Sequence, residues 1–281
     1  MTFSDIHSLL EAAQTRLQAA GSEDPRANAE FLLAHVLGVT RTWLAAFSQE
    51  PVPADKQQQF EDLLLRHAQG EPLAYIVGFQ PFCGLDIAVT PAVLIPRPET
   101  ESLAQFAQQT FDAQAPIRIL DLCTGSGCLA LALARFFKKA HVTASDVSSA
   151  ALEVAQTNAR THNLADRITF VQSDLFEHIT GPFDLMVSNP PYIPSGDLPS
   201  LAREVQREPA LALDGGADGL AVTRQIVENV SRFASLGCVL GLELCLGQPA
   251  GVARLLGGRG WNAEVKKDIF GIDRFVFARK I

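Results

Sequence analysis

Apolar positions near the start of the chain recur three and four residues apart, the spacing of one face of an α-helix. Ile6, Leu9, Leu10, Ala13 and Leu17 form the first series, which predicts a helix that Ser4 can cap and Gly21 ends. Asp24-Pro25, a capping residue followed by proline, opens a second helix that carries Phe31, Leu32 and Val36 and stops at Gly38. A short helix is expected around Trp43. Pro53 opens a longer one, with Phe60, Leu63, Leu64 and His67 on or near one face, closed by Gly70. Glu71-Pro72 restarts a short helix through Tyr75 that ends at Gly78. Residues 1–78 therefore read as a small all-helical bundle.

From 79 to about 89 the pattern changes to short alternating segments around Gly84, which predicts a β-hairpin. Pro91, Pro96 and Pro98 then stiffen an extended stretch. After Glu99 helix and strand alternate. Helices are expected over 99–111, 127–138, 148–163, 219–235 and 248–259, and strands over 117–122, 141–146, 168–172, 184–188 and 239–243. Such alternation implies a mostly parallel, doubly wound sheet with helices on both faces, an α/β fold of Rossmann-like type. The last two strands, 262–265 and 274–278, have no helix between them and are expected to pair as an antiparallel hairpin at one edge. The expected division is a helical domain over 1–78, a β-hairpin linker over 79–96 and a catalytic domain over 97–281.

Of the 281 residues 47% are apolar, enough for packed cores in one large domain or two ordinary ones. The formal net charge is -8, and residues 1–75 hold 5 Lys/Arg against 10 Asp/Glu. Proteins that grip phosphates carry a basic stripe; here the densest spots are the pairs Lys138-Lys139 and Lys266-Lys267, so no direct nucleic-acid partner is expected. Cys83, Cys123, Cys128, Cys238 and Cys245 are odd in number, form no CxxC pair and have no histidine at a metal-ligand spacing. Reduced thiols, a cytoplasmic location and no metal follow as expectations. The amphipathic, acidic N-terminal pattern is not that of a signal peptide, and no apolar run is long enough to span a bilayer. Nothing in the sequence demands more than a monomer.

Three strand ends carry a cofactor pattern. The apolar segment 117–122 runs into Cys123-Thr124-Gly125-Ser126-Gly127 and then a helix. Gly125 and Gly127 let backbone N–H groups approach a ligand, and the helix N-terminus that follows favours an anionic group. The loop alone fits many nucleotide folds. Asp146 ends the next strand about 20 residues on, where an acid accepts from both ribose hydroxyls. That fits a nucleoside cofactor in general and leaves NAD open. Asp174 and Leu175 close the third strand, one able to accept from an adenine amino group and the other to pack on its ring.

Asn189-Pro190-Pro191-Tyr192 decides among these chemistries. Two prolines fix the backbone, so the Pro190 carbonyl becomes a rigid acceptor beside the side-chain carbonyl of Asn189. Two converging acceptors suit a planar NH₂ group. An amide nitrogen is a poor nucleophile because its lone pair is delocalised. Hydrogen bonds that draw its protons out of the amide plane free that lone pair for attack on an aligned methyl. Tyr192 offers an aromatic face for the planar group or a sulfonium charge.

On these residues the chain resembles the bacterial peptide chain release factor N5-glutamine methyltransferases, over essentially its whole length. The string from Gly70 to Gly78 looks like that family's linker entrance, and Leu94-Ile95-Pro96-Arg97-Pro98-Glu99-Thr100-Glu101 like a signature of this branch. The resemblance implies a class I methyltransferase fold. It implies S-adenosyl-L-methionine bound across Cys123, Thr124, Gly125, Ser126, Gly127, Asp146, Asp174, Leu175 and Asn189. The substrate it implies is the glutamine of the Gly-Gly-Gln loop of class-I release factors, held by Asn189 and Pro190. It also implies a helical domain that helps dock that substrate, and Arg97 and Glu99 at the cofactor mouth. Cys123 stands where many members have glycine, and with Cys128 it also looks like the sister enzymes that methylate a glutamine of a large-subunit ribosomal protein. Leu175 stands where some members have an aromatic. Adenine N6 methylation of nucleic acid, which shares the planar NH₂ substrate, and a non-catalytic binding role complete the alternatives.

Overall fold

The computed structural model describes residues 5–281, so the expected cap Ser4 lies outside the described residues. Two compact units emerge. One takes the described residues up to Gly78 together with Ala202–Arg207, and the other takes Phe79–Leu201 and Glu208–Ile281.

The smaller unit is helical: α1 (Ile6–Ala19), α2 (Pro25–Leu37), α3 (Arg41–Ala46), α4 (Ala54–Ala68) and α5 (Leu73–Val77). Asp5 caps α1, accepting from Ser8 N at 2.7 Å. Asp24 holds the cap position of α2 without a side-chain hydrogen bond, and the proline after it opens the helix. The apolar series of α1, α2 and α4 meet in a core that includes Leu10, Leu17, Leu32, Leu33, Phe60 and Leu64. His67 is buried there, with Asn28 Nδ2 at 3.1 Å from one ring nitrogen and the Glu71 carbonyl at 3.0 Å from the other. Its role is structural.

The larger unit opens with the hairpin β1 (Phe79–Phe82) and β2 (Leu85–Ala88), whose two-residue turn puts Cys83 at φ 48 and Gly84 at φ 70. Phe82, Leu85 and Ile87 join the core of this unit. A 3₁₀ turn, Pro98–Thr100, leads into α6 (Glu101–Thr110). Then follow β3 (Arg118–Leu122), α7 (Cys128–Phe136), β4 (His141–Asp146), α8 (Ser149–Thr161), β5 (Ile168–Gln172) and β6 (Phe183–Ser188). The chain closes with α9 (Ala210–Leu213), α10 (Ala221–Asn229), β7 (Ala234–Glu243), α11 (Pro249–Gly257), β8 (Trp261–Lys267) and β9 (Asp273–Lys280).

The seven-stranded sheet has the order β5-β4-β3-β6-β7-β9-β8, parallel except for β9, which runs antiparallel to both neighbours. Strand side chains alternate between two cores, as a pleat requires. Ile119, Leu185, Val187, Val239, Phe275 and Phe277 face the layer with α6, α7 and α8. Leu120, Leu122, Met186, Leu240, Leu242 and Val276 face the layer with α10 and α11. The final hairpin is antiparallel, as its sequence predicts, but the last strand lies inside the sheet and β8 forms the edge. Burial explains this order. β9 buries Phe275, Val276, Phe277 and Ala278 in succession, while β8 exposes Asn262, Glu264, Lys266 and Lys267, and charged residues suit an edge.

The helix expected over 219–235 is shorter. It ends at Asn229, a 3₁₀ turn spans Val230–Arg232, and β7 begins at Ala234. The Phe233 carbonyl accepts from Phe183 N at 2.8 Å, which draws the chain into the sheet one turn early. The sheet order reverses between β3 and β6. Ligands of open α/β sheets sit outside the carboxyl ends of the strands at such a switch point.

Candidate active site

A cavity opens at that switch point, bounded by the ends of four parallel strands. Its lining includes Cys123 and Gly125 after β3, Asp146 after β4, Asp174 and Leu175 after β5, and Asn189 and Pro191 after β6. Gly125 has φ 54 and open space where a Cβ would point. Asp146 binds the loops on either side of it: Oδ2 accepts from Gly125 N at 2.9 Å and Oδ1 from Ser148 N at 3.0 Å. Each carboxylate oxygen keeps a further lone pair for a ligand hydroxyl. Burial raises the Asp146 pKa, and the backbone donors at Ser148 and Gly125 oppose that rise. Asp174 is exposed beside half-buried Leu175, whose φ of 47 is held by a turn in which Ser173 Oγ donates to the Leu175 carbonyl at 2.9 Å.

Thr124, Ser126 and Gly127 have a different place. They form the scaffold beneath the cavity rather than its lining. Thr124 Oγ1 donates to Asp121 Oδ2 at 2.6 Å, and the Ser126 carbonyl accepts from Asn158 Nδ2 at 2.9 Å. At Gly127 (φ 80) a Cβ would stand 2.8 Å from Leu131 Cδ1 and 3.0 Å from Ala155 Cβ, so only glycine lets α7 start this close to α8. The N-terminus of α7 is also occupied from within. Asp121 Oδ2 accepts from Ala130 N at 3.1 Å, so the buried Asp121 is the carboxylate that meets this helix end. Burial pushes the Asp121 pKa up to about 7 against the pull of Thr124 and Ala130.

The two prolines follow the end of β6. Pro190 is buried, and Pro191 and Tyr192 are half-buried. A hydrogen-bond chain that sequence reading did not identify runs behind them. Asn189 Nδ2 donates to Thr100 Oγ1 at 3.2 Å. Thr100 Oγ1 donates to Glu243 Oε2 at 2.7 Å, and Tyr192 OH donates to Glu243 Oε1 at a long 3.4 Å. Glu243 ends β7 and is 1% exposed. Burial pushes its pKa up to about 7, with Thr100 and Arg274 opposing and Glu99 adding to the rise. Burial and the Glu243 charge also push the Tyr192 phenol up. Gln248 pins the same loop, its Nε2 donating to the Tyr192 carbonyl at 3.0 Å while its Oε1 accepts from Cys245 N at 2.9 Å. Thr100 lay within the Arg97–Glu101 string. Glu243 and Gln248 carried only the faint signal of a polar residue ending or following an apolar strand.

Arg97 and Glu99 are not among the lining residues. Arg97 pairs with buried Glu208, which also accepts from Ile95 N at 2.9 Å. Glu208 thereby ties together two walls of the cavity that the sequence did not reveal, Ala92–Leu94 and Pro209–Asp214. Both walls come from segments without a period, where apolar pattern gives no warning of a binding surface.

Residues 8–78 match a family described as the PrmC N-terminal domain, and residues 100–227 match one described as the methyltransferase small domain. A Moorella thermoacetica protein named release factor glutamine methyltransferase is 41% identical over 277 residues, covering 97% of this chain and 98% of its own. A Deinococcus radiodurans protein of the same name is 38% identical over 275 residues, covering 98% of each chain. Among solved structures, a methyltransferase from Pyrococcus furiosus aligns with a TM-score of 0.54 at 20% identity, over 70% of this chain and 89% of its own. A ribosomal protein L11 methylase from Lactobacillus delbrueckii subsp. bulgaricus gives 0.52 at 18%, over 69% and 86%. At such identities these two speak for the fold alone.

Proposed function

The chain belongs to the release factor glutamine methyltransferases, and from that membership we propose that it methylates the side-chain amide nitrogen of the glutamine in the Gly-Gly-Gln loop of class-I release factors, with S-adenosyl-L-methionine as donor. Near-full-length relatives with the release-factor name favour this substrate over a ribosomal protein or nucleic acid.

The observation that carries the reading is the polarity of Asn189. Its amide nitrogen is engaged by Thr100, so its oxygen is the end left to accept at the cavity wall. That oxygen and the Pro190 carbonyl together accept from the two amide protons of the glutamine. They draw the nitrogen toward tetrahedral geometry and free its lone pair. With the donor bound, the nitrogen would form its bond to the methyl carbon as the carbon–sulfur bond breaks, the electron pair staying on the sulfur as a neutral thioether. It would then release one proton to water, so no side chain must act as a strong base first. We assign the Tyr192 ring to flank the planar group, with its hydroxyl held by Glu243 and its backbone carbonyl by Gln248.

The residues around the cavity fit the donor. Gly125 leaves room for close backbone approach, Asp146 offers acceptors for ribose hydroxyls, and Asp174 and Leu175 offer an acceptor and an apolar surface for adenine. The bound sulfonium supplies an electrophilic methyl group. Cys123 joins this set at the cavity, whereas Thr124, Ser126 and Gly127 shape the loop. We further assign substrate docking to the helical domain at 1–78, a linking role to 79–96 and catalysis to 97–281. We infer a cytoplasmic, monomeric enzyme. Among the described residues no helix is long and apolar enough to cross a membrane.

The test is transfer of a labelled methyl group to purified class-I release factor beside a Gln→Ala variant of its Gly-Gly-Gln loop. Label on the first and none on the second is expected. Label on neither overturns this substrate and moves the assay to the ribosomal protein.

A further inference from the structure

Asparagine is ambiguous as an acceptor. Rotating its amide by half a turn exchanges oxygen for nitrogen at nearly the same shape, and a flipped Asn189 would aim donors at a substrate group that itself only donates. Thr100 alone cannot prevent this. A hydroxyl both donates and accepts, so it can serve either end of the amide. Glu243 breaks the tie. An ionised carboxylate only accepts, so it takes the single proton of Thr100. The threonine oxygen is then left with lone pairs only, and the Asn189 end that meets it must be nitrogen.

The structure assigns Glu243 as a positioning residue that, through Thr100, fixes which end of the Asn189 amide is offered to the substrate. This rests on the reading of Asn189 as the glutamine acceptor. Three elements brought together by the fold carry it: the 3₁₀ turn before α6, the end of β6 and the end of β7. Burial makes the chain effective. Glu243 and Thr100 are 1% and 2% exposed, so water does not compete for the threonine proton. Arg274, Glu99 and Tyr192 are the charged or titratable groups facing the carboxylate. Burial and Glu99 raise its pKa to about 7 while Thr100 and Arg274 oppose the rise, so the ionised, accept-only form dominates above that pH. The Tyr192 hydroxyl engages the other carboxylate oxygen, so Oε2 remains dedicated to Thr100.

Glu243→Gln keeps the shape and loses the polarity, because a glutamine amide can donate to Thr100 and release the threonine proton toward Asn189. The expected result with release factor as substrate is a fall in kcat of about 10- to 100-fold, with the dissociation constant for S-adenosyl-L-methionine unchanged. Thr100→Val, which breaks the same chain, should match that loss, and Thr100→Ser should restore most of it. In a Thr100→Val background Glu243→Gln should cost nothing further, since both act through one path. Turnover of Glu243→Gln within twofold of wild type, or losses that multiply in the double variant, would overturn the assignment. Wild-type enzyme that leaves the release factor unlabelled overturns the underlying reading and this inference together. Labelled wild type with unaffected variants overturns this inference alone.

Discussion

Position 123 turns left-handed at φ 59 while carrying a side chain. A backbone of that hand costs glycine least and residues branched at Cβ most, so the unbranched cysteine is tolerated there. Cys123→Val, branched at Cβ, is expected to destabilise the protein by about 1–2 kcal/mol in denaturant titration, and Cys123→Gly to stay within about 1 kcal/mol of wild type. Two buried carboxyls set a pH dependence. Burial raises both Asp121 and Glu243 to about 7, above the ordinary carboxylate range. Between that range and about 7 the folded chain holds protons that the unfolded chain has released. These groups therefore oppose folding increasingly as pH rises and are relieved as it falls. Asp121→Asn should raise the melting temperature at pH 8 relative to wild type, with the difference vanishing near pH 4. A constant difference across that range would assign the effect to packing instead. Neither carboxyl stood out in the sequence as a perturbed group, because both end or interrupt apolar strands and only burial changes their chemistry.

Among the elements, the loop that follows β6 is held by contacts that leave little room for change. At Gly219 (φ 74) a Cβ would lie 2.3 Å from the Tyr192 carbonyl oxygen and 2.7 Å from Gln248 Nε2. Gly219→Ala is expected to displace the acceptor loop and lower single-turnover methyl transfer on the order of 100-fold, with cofactor affinity less affected. Glu208 joins the two aperiodic walls of the cavity, so Glu208→Ala leaves the Ile95 N–H and Arg97 without their carboxylate. A loss of about 3 kcal/mol is expected, at the low end for a buried pair because Arg97 keeps contact with water. Weaker cofactor binding, measured by calorimetry, should accompany it. The regular elements were readable from the chain because each carries a period. Strand ends point to Cys123, Asp146, Asp174 and Asn189, which line one cavity. The segment from Ile193 to Asp214 has no period and was silent, although it supplies a wall of the site. The start of β7 was misplaced because Val230 and Phe233 continue a helical apolar series, and only the partner strand reveals that the Phe233 carbonyl belongs to the sheet.

At the scale of the whole molecule, the chain between the acceptor loop and the second cavity wall leaves the larger unit. Ala202–Arg207 cluster with the helical unit, where Arg203 lies within 3.6 Å of the Cβ position of Gly70 and Arg207 donates to the Gln69 carbonyl at 3.4 Å. Hydrogen exchange should read this directly. In a chain beginning at residue 79, amides over 202–207 are expected to lose protection while those of the central strands keep theirs. Retained protection over 202–207 would mean that the segment folds without the helices. The change of period marks a boundary near residue 78, but no pattern in the chain shows a short aperiodic piece returning to the first unit.

That returning piece bears on how such a protein could have been assembled or could diversify. A gene exchange with its joint at residue 78 would deliver the helices without Ala202–Arg207, and the recipient larger unit would carry a segment shaped for the helices it had lost. A working exchange would therefore have to carry residues 202–207 together with the helices.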